Sequence, residues 1–401
     1  MISVEEARGR ILDSLAPCGA ETVPLAEGWN RVLARPVTAR LTQPPADVSA
    51  MDGYAVRAAD AVEGATLAVT GAAPAGHPFR GEVGPGEAVR IFTGAPVPEG
   101  ADAILLQEDA TAGGNGVRVN ETVRPDRWIR RAGMDFRAGD TLVEAGRRLS
   151  ARDIGLAAAG NHAWLPVHRA PRIAILATGD EIVLPGEPLP AGGIVSSNAH
   201  MLAALVRAAG GVPVVLPIAG DNHEAIGAAA EAARRCEMLV TTGGASVGEH
   251  DLVQSALAPH GFTLDFWKIA MRPGKPLIWG RLDGTPVLGL PGNPVSALVC
   301  GVLFLWPALM KLSGLPAAPL PLRMARLGAD LPENDRREEY MRARLETDAE
   351  GRSVVVPATR QDSAMLRVLA GADALLQRPP HAPALQAGAT VPVVHLADLG
   401  I

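Results

Sequence analysis

Thr241-Thr242-Gly243-Gly244-Ala245-Ser246-Val247-Gly248-Glu249-His250-Asp251 is the stretch on which the reading of this chain turns. The apolar run Met238-Leu239-Val240 leads into it as a buried strand, and residues 252–257 read as the start of a helix. Between strand and helix stand three glycines and three hydroxyl side chains. Glycine lets backbone N–H groups close in on an oxyanion, and a helix N-terminus adds positive partial charge. The loop is therefore expected to hold a phosphate-like group.

Strands and helices alternate on both sides of it. Upstream, Ile173-Ala174-Ile175-Leu176-Ala177 is a continuous apolar run, as expected of a central parallel strand covered on both faces. It ends in Thr178-Gly179-Asp180-Glu181. A helix over 199–209 follows, with Ser197 or Asn198 as N-cap and Gly210-Gly211 as its stop. A strand over 212–218 ends near Gly220-Asp221, and an alanine-rich helix covers 223–235. Downstream, short strands are expected at 266–269, 277–279 and 287–290. The last runs into Pro291-Gly292-Asn293-Pro294 and a closing helix over 295–312, with Pro294 favourable at its first position. This alternation predicts a doubly wound parallel sheet, in which ligands bind off the carboxyl ends of the strands. The polar loops at 178–181, 221, 243–251 and 291–294 all fall on that edge.

The rest of the chain has a different texture. Ser3 and Glu6 fit a capping box ahead of a helix over 4–15. From about residue 21 to 146 the helical period gives way to short apolar runs (66–70, 88–92, 103–106, 116–119) separated by Gly, Pro, Asp and Asn, a β-rich pattern. Ser150 caps a helix reaching Ala159. After Pro316-Ala317-Ala318-Pro319-Leu320-Pro321 a small β domain follows, with apolar runs at 354–356, 372–377 and 391–395.

Bulk properties narrow the function. The chain has 401 residues, 48% hydrophobic and 3% aromatic, with a net charge of -6 and the two signs interspersed. That argues against a nucleic-acid partner. Cys18, Cys236 and Cys300 are too few and too dispersed for a disulfide framework or a zinc site. The N-terminus lacks a signal-peptide pattern and no apolar run looks long enough to span a membrane, so a cytoplasmic protein without a membrane partner is expected.

Asp180, Glu181, Asp221 and Asp251 would gather near the phosphate loop. Such carboxylates repel unless a cation joins them, and magnesium commonly uses one or two carboxylates with substrate phosphate oxygens. N-capping and turn formation would use the same residues. Arg272-Pro273-Gly274-Lys275-Pro276 holds two cations on a proline-stiffened loop, suited to an anionic ligand or to a solvated hairpin tip. Pro291-Gly292-Asn293-Pro294 is a second candidate oxyanion nest or a plain turn. Walker, dinucleotide-fingerprint and nucleophile-elbow sequences are absent.

Six ordered stretches together resemble the MoeA-type molybdopterin molybdenumtransferases, related to the C-terminal domain of gephyrin. They are Ser49-Ala50-Met51-Asp52-Gly53-Tyr54-Ala55, Ile91-Phe92-Thr93-Gly94-Ala95, Thr178-Gly179-Asp180-Glu181, Gly243-Gly244-Ala245-Ser246-Val247-Gly248 with Asp251, Pro273-Gly274-Lys275-Pro276 and Pro291-Gly292-Asn293-Pro294-Val295-Ser296-Ala297.

The resemblance implies insertion of molybdate into adenylyl-molybdopterin with magnesium, release of AMP and formation of the molybdenum cofactor. Gly243, Gly244, Ser246, Val247 and Gly248 would cradle the pterin phosphate. Asp180, Glu181, Asp221 and Asp251 would handle metal and phosphoanhydride. Arg272 and Lys275 would face negative charge, and Pro291, Gly292, Asn293 and Pro294 would form the molybdate nest. It also implies a homodimer in which Asp52, Thr93 and Asp135 reach the partner's site, and as partners a molybdopterin adenylyltransferase and molybdoenzyme acceptors. Ser363 is a further candidate contact.

The implied fold is α/β multidomain: a linker domain (1–44 and 140–170), an inserted β domain (45–139), a molybdopterin-binding α/β domain (171–315) and a C-terminal β barrel (316–401). Family members often carry Lys at the position of Arg272, Glu at that of Met134 and Gly at that of Asp362. Two rivals stand beside this expectation. One is a molybdopterin adenylyltransferase, which shares the α/β domain. The other is a gephyrin-like dimeric scaffold.

Overall fold

The structure is a computed structural model and describes residues 1–243, 252–316 and 319–401. At its centre is a six-stranded sheet in the order Val212–Val215, Arg172–Ala177, Met238–Thr242, Thr285–Leu290, Pro276–Leu282, Phe262–Lys268. The first four strands are mutually parallel. The last two add in antiparallel fashion, so the sheet is mixed rather than wholly parallel. The reason is local: Asp283-Gly284 makes a tight turn from Pro276–Leu282 to Thr285–Leu290, with positive φ at both residues, and so short a connection can only reverse the chain. Pro213, which cannot donate to a ladder, sits in the edge strand.

Alternation along the central strands feeds two cores. Ile173, Ile175, Met238, Val240, Leu288 and Leu290 face one side, packed with helix Asn198–Ala208 and the closing helix. Ala174, Leu176, Leu239 and Val287 face the other, under helices His223–Ala233 and Leu252–Leu257. This two-sided burial explains why the strands read as unbroken apolar runs.

The closing helix runs from Pro294 to Leu312 as an α segment, a π-helical stretch Gly301–Leu305 and a second α segment. The Trp306 N–H bonds to the Gly301 carbonyl, five residues back. That wider turn admits Pro307, whose ring would clash with a carbonyl four residues back. At 19 residues and a mean hydropathy of 1.9 this helix is long and apolar enough to cross a membrane by length and composition, more so than the sequence suggested. Yet 78% of the window is buried inside the protein, as suits a core helix.

The N-terminal helix, Val4–Asp13, packs on the α/β core through Val4, Ala7 and Ile11, and Ile2 bridges to Ile269. The remaining linker residues form two short antiparallel pairs, Ala20–Pro24 with Trp164–His168 and Val37–Thr38 with Thr141–Val143, plus the helix Ala151–Ala159. Ser150 and Asp153 close a full capping box on that helix. Between these halves lies a six-stranded sheet spanning residues 53–119.

In the C-terminal region five strands close on themselves: Leu322–Leu327, Ser353–Pro357, Glu338–Thr347, Ala374–Arg378 and Thr390–His395. Two of these, LRMARL and EEYMRARLET, lacked an apolar signature because Arg and Glu interrupt their apolar residues. The short strand Met271–Arg272 pairs with Glu338-Glu339 and so joins the α/β sheet's loop to the barrel.

Candidate active site

The carboxyl ends of three parallel strands open into one cleft of ≈ 630 Å³. Thr178 follows the first strand, Thr242 and Gly243 end the second, and Pro291–Pro294 follow the third; all of them line the cleft. The ends are tied to one another. The Thr178 N–H donates to the Thr242 carbonyl at 3.1 Å, and the Thr242 hydroxyl donates to the Pro291 carbonyl at 3.2 Å.

Gly243 has φ +96, and a Cβ there would lie 2.4 Å from the Thr178 carbonyl oxygen. Only glycine fits. A Cβ on Gly292 would stand 3.5 Å from Gly243 Cα, so the two turns touch.

Asn198 is the residue that sequence reasoning assigned to a different task. It was read as a candidate N-cap, but neither it nor Ser197 caps the helix by a side-chain hydrogen bond. Its amide nitrogen donates to Thr242 Oγ1 at 2.9 Å and to the Gly292 carbonyl at 2.7 Å. The circuit fixes the amide orientation, because a carbonyl cannot donate to Gly292. Asn198 Oδ1 and Thr178 Oγ1 are both buried and lack a partner among the described residues. The apolar wall comes from Ile182, Ile194 and Val195, on two short parallel strands that flank the cleft.

The barrel closes the remaining side. Asn293 Nδ2 donates to Ser363 Oγ at 3.0 Å, the Val295 N–H donates to the Ser363 carbonyl at 3.1 Å, and Ala364 lines the cleft. Ser363, remote in sequence, therefore stands at the Pro291–Pro294 turn. Buried Arg342 holds its loop by donating to the Asp362 carbonyl at 3.2 Å.

Three of the four carboxylates lie among the described residues. Asp180 Oδ1 accepts from the Asp221 N–H at 2.9 Å, which places these two together, and Glu181 lines the cleft. All three are exposed. Among the described residues no group of three or more His, Cys, Asp or Glu side chains is close enough to hold a metal. Asp180 is occupied in part by a turn, the alternative use noted above. Asp251, with Gly244, Ser246, Val247 and Gly248, lies outside the described residues. The exposed carboxylates still match the mode in which magnesium takes one or two protein oxygens and completes its shell with water and phosphate.

The two cations are also placed differently from each other. Arg272 pairs with Glu339 at 2.7 Å and Asp335 at 3.7 Å, so its charge is answered by the barrel rather than left for a ligand. Lys275 lines a neighbouring cavity of ≈ 490 Å³ with Arg336, Arg337 and His381, while the next residue, Pro276, lines the main cleft.

Asp335 is held down to about 2, first by the Arg337 side chain, at 2.9 Å, and then by the Arg337 N–H, at 2.8 Å. A carboxyl with a depressed folded value contributes stability above its unfolded value of 3.8, and that contribution is lost as pH falls through about 2. Between about pH 4 and 2, the slope of unfolding free energy against pH should therefore flatten in Asp335→Asn relative to the parent. Denaturant titrations at several pH values check this; parallel curves would contradict it.

Asp52 and Thr93 meet in the inserted sheet. Asp52 Oδ1 accepts from both the Thr93 N–H and its hydroxyl, each at 2.7 Å, and these bonds hold the Asp52 carboxyl below its ordinary range. The two loops that read separately as turns thus form one unit. Asp135 is exposed and its N–H donates to the Gln43 carbonyl. None of Asp52, Thr93 or Asp135 lines the cleft of its own chain.

Comparison with known proteins places this geometry. Residues 2–160 match a model described as MoeA N-terminal region (domain I and II), 174–311 one described as Probable molybdopterin binding domain, and 324–396 the MoeA C-terminal region (domain IV). Molybdopterin molybdenumtransferase 2 of Mycobacterium tuberculosis is 39% identical over 98% of this chain and 99% of its own length. The chain belongs to the MoeA family. Within that family, the molybdopterin molybdenumtransferase of Haemophilus influenzae is 38% identical over 78% of each chain. The crystal structure of the molybdopterin biosynthesis moeA protein from Pyrococcus horikoshii OT3 matches with a TM-score of 0.84 and 28% identity, over 98% of this chain and 100% of the other. Most of the cleft lies in the second matched stretch, and Ala364, beside Ser363, lines it from the third.

Proposed function

We propose that this chain inserts molybdate into adenylyl-molybdopterin, releasing AMP and giving the molybdenum cofactor. The observation that carries the reading is the convergence of Gly243, Asn198 and the Pro291–Pro294 turn on one cleft, within the stretch matched by the molybdopterin-binding model. The names of its full-length relatives support the same activity.

In this reading Gly243 approaches the phosphates, because no side chain keeps it away. The Ile182, Ile194 and Val195 wall accepts the flat, weakly polar face of the pterin. Asn293, steadied by Ser363, presents the second anion nest for molybdate. Lys275 offsets the accumulated negative charge from the adjoining cavity. Asp180, Glu181, Asp221 and Asp251 are the residues that would hold magnesium, which would supply charge neutralisation at the phosphoanhydride. The protein acts as a cytoplasmic homodimer, with Asp52, Thr93 and Asp135 completing the partner's cleft. An adenylyltransferase upstream and molybdoenzymes downstream complete the sequence.

The test is to supply purified protein with adenylyl-molybdopterin, magnesium and molybdate. The expected result is molybdate-dependent AMP release with transfer of active cofactor to an apo-molybdoenzyme. Accumulation of adenylate from ATP and molybdopterin would instead favour an adenylyltransferase. No turnover of either substrate would favour a scaffold.

A further inference from the structure

The barrel strand Glu338–Thr347 has one edge paired over residues 339–343, against Ala374–Arg378. Its opposite edge is taken in two pieces: Ser353–Pro357 pairs with residues 343–347, and Met271–Arg272 pairs with Glu338-Glu339. Between those pieces Tyr340, Met341 and Arg342 have no strand beside them on that edge.

Gln361 fills the gap. Its Oε1 accepts from the Arg342 N–H at 3.0 Å, and its Nε2 donates to the Arg342 carbonyl at 3.0 Å. One side-chain amide thus takes both backbone groups of Arg342, as the peptide of a neighbouring strand would. Nε2 also donates to the Ala358 carbonyl at 2.8 Å, and the Ala358 N–H donates to the Arg342 carbonyl at 2.9 Å. The amide orientation follows, because only nitrogen can serve two carbonyls. Arg342 is 1% exposed, so its N–H would be left unpaired without Gln361.

Gln361 also opens the segment that reaches the cleft. Asp362 follows it, with its carbonyl held by the Arg342 guanidinium at 3.2 Å and its Oδ1 accepting from the Ala364 N–H at 2.8 Å. Ser363 then meets Asn293 and Val295, and Ala364 lines the cleft. From barrel strand to cleft wall the path is one short, hydrogen-bonded run of chain.

We propose that Gln361 is a positioning residue for molybdate insertion. It sets the register of residues 361–364 on the barrel, and thereby the place where Ser363 meets Asn293. Gln361 does not line the cleft itself, so it acts through Ser363. This role rests on the reading of the Asn293 turn as the molybdate nest. It predicts an effect confined to one of the two substrates, which a residue that merely stabilises the barrel would not produce.

Gln361→Met keeps the side-chain volume and removes all three hydrogen bonds. It should raise the apparent KM for molybdate by about 10-fold and leave that for adenylyl-molybdopterin near the parental value, since loosening a supporting contact costs on that order. Gln361→Glu keeps the acceptor for the Arg342 N–H and loses the donor, so it should fall between parent and Gln361→Met. Ser363→Ala, run alongside, should raise the molybdate KM as well. A lowered unfolding temperature with both KM values unchanged would overturn the proposal, as would an equal rise in the two. If Ser363→Ala raises the molybdate KM and Gln361→Met does not, the positioning role is wrong and the nest reading stands. If Ser363→Ala leaves it unchanged, the nest reading itself is wrong.

Discussion

Gly243→Ala should lower the rate of molybdate-dependent AMP release by about 100-fold or more, because a misplacement of about 1 Å at a reacting centre costs on that order. The physical cause is twofold. The residue has φ +96, a conformation in which a side chain is strained, and its new Cβ would fall 2.4 Å from the Thr178 carbonyl oxygen. Backbone cannot yield there, since Thr178 and Thr242 are bonded to each other at the ends of two central strands. The expected stability cost is about 1–3 kcal/mol, small enough to leave the protein folded. Rates measured alongside denaturant unfolding separate the two effects. A folded variant with near-parental turnover would show that the Gly243 turn is not in contact with the reacting phosphates.

The second large effect is expected at Asn198. Asn198→Ala removes the donor that links Thr242 Oγ1 to the Gly292 carbonyl. It should destabilise by about 1–3 kcal/mol, the usual cost of leaving buried polar groups unpaired. It should also cut kcat/KM by about 10-fold or more, since the Pro291–Pro294 turn then loses its register against Gly243. Thr242→Val breaks the same circuit at its middle member. The double variant should therefore lose much less than the product of the two single losses, the signature of residues acting as one unit. Fully multiplicative losses would show that Asn198 acts on its own and not through the turns.

How much of this was legible beforehand differs from element to element. The strands Arg172–Ala177 and Met238–Thr242 stood out because burial on both faces leaves an unbroken apolar run. The glycines at 179, 243 and 274 marked their turns for a local reason, positive φ, that the sequence carries directly. Ser363 was suspected from the resemblance, and the structure brings it to Asn293.

The rest depends on long-range contacts with no local trace. Asn198 looks like any helix N-cap until Thr242 and Gly292 are placed beside it. Arg272 reads as a free phosphate ligand until Glu339 and Asp335 arrive from another domain. The barrel strands Leu322–Leu327 and Glu338–Thr347 interleave their core residues with arginines, one of which, Arg342, is itself buried on the other face. The antiparallel half of the central sheet followed from a two-residue turn whose neighbours were read as separate strands.

The central claim is that these sequence-remote turns form one anion-filled reaction site. It is tested most directly by a crystal structure of the protein with AMP, magnesium and molybdate. The account predicts AMP and molybdate together in the ≈ 630 Å³ cleft, the phosphate against the Gly243 turn and the molybdate against Asn293 and Ser363. Ligands bound at separate surfaces, with the cleft left to solvent, would contradict it.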